Sequence, residues 1–132
     1  MAGYGGTDTI TLTLPAGPEA KRVALLVVGG LAARLDLTYE TLEDLEIAVE
    51  TALEHVKGAE VSLVLTVDEA SVEAAVGPVD RNAVEAELEG GPERMSLGRV
   101  LDTVADGYRL VDRDGATWLA VEKNRGGNDR GD

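Results

Sequence analysis

Two hairpin signals constrain this chain more than any other feature. In the first, Val61, Leu63, Leu65 and Val67 recur at every second position, Asp68-Glu69-Ala70 turns the chain, and Val72, Ala74 and Val76 resume the alternation. In the second, Asp114-Gly115 is a two-residue turn between residues 108–113 and 116–122. Its register pairs Leu110 with Leu119 and Val111 with Trp118, which puts Tyr108, Leu110, Leu119 and Val121 on one face and Trp118 on the other. Consecutive hairpins require a largely antiparallel sheet.

The stretches around the hairpins supply one more strand and four helices. Thr9 to Leu14 alternates threonine with apolar residues and stops at Pro15. Pro18 suits the first turn of a helix, and Val23, Leu26, Val27, Gly30, Leu31 and Arg34 follow at helical spacing as its expected core stripe. The opposite side carries Ala24, Leu25, Val28 and Ala32, so this helix is apolar nearly all round and predicts a second packing surface such as a subunit contact. Thr38 caps a second helix to about Val56, with Leu42, Leu45, Val49, Ala52, Leu53 and Val56 as its apolar stripe. Residues 79–88 form a modest helix with Val79, Ala83, Ala86 and Leu88 inward, residues 89–95 a loop, and Ser96 caps a short helix to about Asp106.

The order is strand, helix, helix, strand, strand, helix, helix, strand, strand. It predicts an α+β two-layer sandwich, with a mostly antiparallel sheet, helices on one face and Trp118 on the other, open face. One domain over residues 7–123 is expected, between glycine-rich disordered ends at 1–6 and 124–132.

Charge and composition narrow the function classes. The 132 residues carry 25 Asp and Glu against 12 Lys and Arg, a net charge of −13, which argues against nucleic acid or an anionic membrane as partner. Cysteine is absent, which removes disulfides, thiol nucleophiles and cysteine metal sites. The longest apolar run, Val23 to Ala33, is too short to span a bilayer, and a cytoplasmic protein is the expectation. His55 is the only histidine and is read as a partly buried structural residue; no metal site is expected. Ser71 and Ser96 have no histidine partner in any motif. On the second helix Glu46, Glu50 and Glu54 stack at i, i+4 and i+8, and no Lys or Arg occurs before Lys57. A solvated face is the ordinary meaning of such a stripe.

With particular residues, this order resembles the anti-sigma-factor serine kinases of the GHKL (Bergerat-fold) ATPase superfamily. The likeness covers about residues 9–123 and rests on Leu14-Pro15-Ala16 at the end of the first strand and on Leu45-Glu46-Ile47-Ala48-Val49-Glu50-Thr51-Ala52. That second segment looks like the family's acidic stretch and Ala-Val-x-Glu-Ala, with one residue fewer before the Glu. Ser96-Leu97 with Val100, Val104 and Asp106 looks like the helix before the final hairpin. The resemblance implies an ATP- and magnesium-dependent kinase that phosphorylates an antagonist protein and binds a sigma factor.

The family's nucleotide boxes, however, are altered here. Glu50 matches the catalytic Glu, but Glu54 stands where an Asn four residues on would bind magnesium and phosphate. The Asp-x-Gly-x-Gly after the first hairpin is replaced by Gly77-Pro78-Val79-Asp80-Arg81, leaving Asp80 as the nearest adenine-reading carboxylate. Met95-Ser96-Leu97 replaces the lid-end glycines, with Ser96 the polar residue at that place. The expectation is an anti-sigma-factor-like pseudoenzyme, homodimeric through a first helix with two apolar faces, that acts by protein binding with impaired or absent ATP binding and no required cofactor. An active ATP-dependent serine kinase is the alternative.

Overall fold

The computed structural model describes residues 8–89 and 96–125. The expected end at 1–6, the expected tail 124–132 from residue 126 on, and most of the loop at 89–95 lie outside the described residues. The elements follow the expected order: β1 Asp8–Pro15, α1 Pro18–Leu35, α2 Tyr39–Leu53, β2 Glu60–Val67, β3 Ser71–Gly77, α3 Arg81–Leu88, α4 Leu97–Val104, β4 Gly107–Arg113 and β5 Ala116–Asn124. The strands form one five-stranded antiparallel sheet in the order β1-β2-β3-β5-β4. Both hairpins and the register of Leu110 with Leu119 and Val111 with Trp118 are as the sequence predicts.

Local chemistry sets the element ends. Thr38 Oγ1 accepts the Thr41 N–H at 3.1 Å and starts α2. Asp68 Oδ1 accepts the N–H groups of Ala70 and Ser71 at 2.8 and 2.9 Å, which closes the β2–β3 turn. Those two bonds hold the Asp68 carboxyl below its ordinary range, because they favour the charged form. α2 ends at Leu53, three residues before the expected Val56, whose backbone instead bridges Val79. β5 extends to Asn124, two residues past the expected strand end at 122 and into the expected disordered tail, and the Asn124 N–H is bound by Asp106 at 2.7 Å.

One face of the sheet packs under the helices. Leu45, Val49 and Ala52 of α2, Leu101 of α4 and the inward rows Val61–Leu63–Leu65, Val72–Ala74–Val76 and Leu119–Val121 form a continuous core. α1 differs from its expected burial. Its buried residues are Ala20, Ala24, Val28 and Ala32, whereas Leu26 is 70% exposed and Val27 and Leu31 are only half-buried. A helix apolar on all sides gives no periodicity to select a face. The small side chains at 20, 24 and 32 allow α1 to lie close against its neighbours, and that contact decides which face is inside. In α3, Val84 is the buried residue, and the expected Ala83 and Ala86 are exposed.

The other face carries a smaller cluster of Val64, Ala75 and Ala120, with Val111 and Trp118 packed against it. Trp118 therefore lies on the face expected for it but is half-buried rather than fully open. Arg113 stacks over its ring at 5.0 Å from the centroid.

Candidate functional site

Glu50 and Glu54 share one cleft. It lies where β1 turns into α1 and α2 ends, encloses about 380 Å³, and is walled by Ala16, Pro18, Leu53, Val56 and Val61. Gly17 permits the turn: its φ of 142° is open to glycine and strained for other residues. Across the cleft Glu50 Oε2 is 2.7 Å from Lys21 Nζ of α1. The Glu50 bond and charge raise the Lys21 pKa above its ordinary value, and the Glu54 charge adds to the effect. Glu54 itself is the C-cap of α2 and makes no ion pair among the described residues.

The other two expected site residues lie elsewhere. Asp80 is the N-cap of α3, accepting the Ala83 N–H at 3.1 Å, and borders a separate depression with Lys57, Arg81, Asn82 and Thr117. Beside it, Arg81 spans Asp112 at 2.8 Å and Glu85 at 3.1 Å. The Arg81 bond holds the Asp112 carboxyl below its ordinary range, with help from the Thr117 hydroxyl. Ser96 is buried and caps α4 by accepting the Arg99 N–H at 3.3 Å.

The phase of α2 separates two sets of side chains. The helix runs from Tyr39 to Leu53 without interruption, so neighbouring residues differ by about 100° around its axis. Glu50 faces α1 through Lys21. Asp44 faces β5 through Lys123, at 2.9 Å, and Thr51, seven residues on, shares that side. His55 follows, with Nδ1 3.1 Å from the Thr51 carbonyl oxygen. Read without a gap, Ala48-Val49-Glu50-Thr51-Ala52 fits Ala-Val-x-Glu-Ala with Thr51 at the Glu place and His55 four residues further. The one-residue choice between the readings and the unbroken helix were both legible in the sequence; which side of the helix faces α1 and which faces β5 was not.

No family model matches the chain. Serine-protein kinase RsbW of Listeria monocytogenes is 48% identical over 46 residues, which are 35% of this chain and 29% of that protein. Serine-protein kinase RsbW of Halalkalibacterium halodurans is 45% identical over 49 residues, 37% of this chain and 30% of that protein. The matched stretch thus spans less than a third of the length of these relatives. Among solved structures, the catalytic domain of the histidine kinase ThkA in a nucleotide-free form aligns with 89% of this chain and 97% of its own, at a TM-score of 0.45 and 12% identity. The likeness to serine kinases read from the sequence therefore holds over about a third of the chain.

Proposed function

We propose that this chain is a regulatory protein-binding module of the anti-sigma type, cytoplasmic, with a sigma factor or an anti-sigma antagonist as partner and without a working ATP site. The observation that carries the reading is the separation of Glu50 and Glu54 from Asp80 and Ser96, each of the latter two capping a helix. An ATP–magnesium complex fits this donor set poorly. Glu50 is tied to Lys21, Glu54 adds a negative charge where phosphate would approach, and Asp80 already accepts a backbone N–H. In the gapless register Thr51 offers no carboxylate base and His55 no amide for the metal. Loss of one charge-assisted contact costs about 1.5–3 kcal/mol, so two or three losses move a micromolar site towards millimolar.

The partial relatives are serine-protein kinases, which favours the second reading, an active serine kinase. Isothermal calorimetry with ATP and magnesium separates the two. The pseudoenzyme reading expects no saturable micromolar binding. Micromolar binding that disappears on Glu50→Ala, Asp80→Ala or Thr51→Ala overturns it.

Self-association belongs to the same reading. β1 is an edge strand, and beside it the half-buried Val27 and Leu31 of α1 border a groove with Ile10. An unpaired edge next to apolar surface favours pairing with another chain.

A further inference from the structure

We propose that the cleft between the β1–α1 turn and the end of α2 receives an arginine side chain from a partner protein. This deepens the protein-binding reading and rests on it. The walls from Ala16, Pro18, Leu53, Val56 and Val61 are apolar and suit the methylene stem of a long side chain. The charges at the cleft favour a cation. α2 has no basic residue in its last turn to neutralise the negative end of its dipole, and Glu54 stands there as C-cap. Lys21 satisfies Glu50 at 2.7 Å, but Glu54 has no ion-pair partner among the described residues.

The donor set and shape choose among cations. A hard divalent ion needs about six oxygen ligands, whereas this cleft offers two carboxylates, one of them paired, and mostly hydrocarbon. A planar guanidinium bonds one carboxylate through two parallel N–H groups and can also reach a second, which an ammonium cannot do with the same geometry. The net charge of −13 draws a basic partner towards this surface, and the cleft then supplies the specific contact.

The test uses the full chain and a capped Leu-Arg-Leu peptide, followed by amide chemical shifts. The expected result is saturable, millimolar binding with shifts concentrated at residues 16–21 and 50–56. Glu54→Gln should weaken it at least fivefold, Glu43→Gln two turns before Glu50 and outside the cleft should not change it, and a citrulline peptide of the same shape should not bind. Equal weakening by both variants means diffuse attraction to an acidic surface and overturns the proposal, as does binding insensitive to Glu54→Gln or shifts away from the cleft. A partner protein that binds the chain equally well with and without Glu54→Gln removes the arginine contact and leaves the protein-binding reading standing. Tight ATP binding removes that reading whatever the peptide does.

Discussion

The indole of Trp118 lies directly over the backbone of Gly77, so that a Cβ at Gly77 would sit 2.5 Å from the ring. A glycine on β3 thus makes the space in which the outer-face cluster of Val64, Ala75 and Ala120 is covered. Trp118 accordingly acts as a half-buried cover for this face. Gly77→Ala is expected to lower stability by about 1–3 kcal/mol through overpacking. Chemical denaturation should show the loss, and combining Gly77→Ala with Trp118→Val should recover part of it. Additive effects in that double-mutant cycle would mean the two residues do not conflict.

Trp118 also carries a cost. Its Nε1–H is buried with no hydrogen-bond partner among the described residues. Trp118→Phe keeps an aromatic ring and removes the orphaned donor, whose burial costs about 1–3 kcal/mol. The substitution is expected to lose far less stability than Trp118→Ala, which empties the site. Equal losses for both variants would show that the N–H finds water.

On α1 the exposed and buried apolar residues should respond oppositely. Val28 is fully buried, and Val28→Ala is expected to cost of order 2 kcal/mol. Leu26, at 70% exposure, should tolerate Leu26→Lys within about 0.5 kcal/mol. Thermal melts give the comparison, and light scattering of the Leu26→Lys protein reports whether this residue contributes to self-association. A strongly destabilised Leu26→Lys would place α1 differently against the sheet.

Asp68 makes a pH-dependent contribution of known sign. Its carboxyl titrates below the ordinary value near 3.8 in the folded chain, because two backbone N–H groups bind the charged form. Its stabilisation is complete above the unfolded value and is lost as pH falls through the lower, folded one. Asp112, held down by Arg81, behaves in the same sense. Asp68→Asn should therefore destabilise the protein at pH 7 and have a smaller effect once the pH has fallen through the lowered folded value, where the native carboxyl is also protonated. An unchanged difference across that range would rule out the turn bonds as its source.

The Lys21–Glu50 pair is half-exposed on both sides, and surface pairs contribute roughly 0–1 kcal/mol. Lys21→Met should leave the fold intact and, by freeing Glu50, strengthen binding of the arginine peptide. Weaker binding in that variant would indicate that Lys21 serves as part of the recognition rather than as a competitor.

Much of this fold was legible in the sequence because its signals are local. Alternation at period two marked the strands, Asp114-Gly115 set a hairpin register, and Thr38 and Ser96 marked helix starts through their own hydroxyls. Which face of α1 is inside was not legible, since apolar residues surround that helix and only its contacts with α2 and the sheet select Ala20, Ala24, Val28 and Ala32. The candidate site shows the same division. Glu50 and Glu54 share a helix face by periodicity alone, and their joint cleft follows from that. Their separation from Asp80 and Ser96, and the capture of Glu50 by Lys21, depend on how distant segments pack, which sequence spacing does not encode. Residue order and period determined the elements and their pairing; the tertiary structure alone decided which charged groups meet, because those contacts join side chains far apart in the chain.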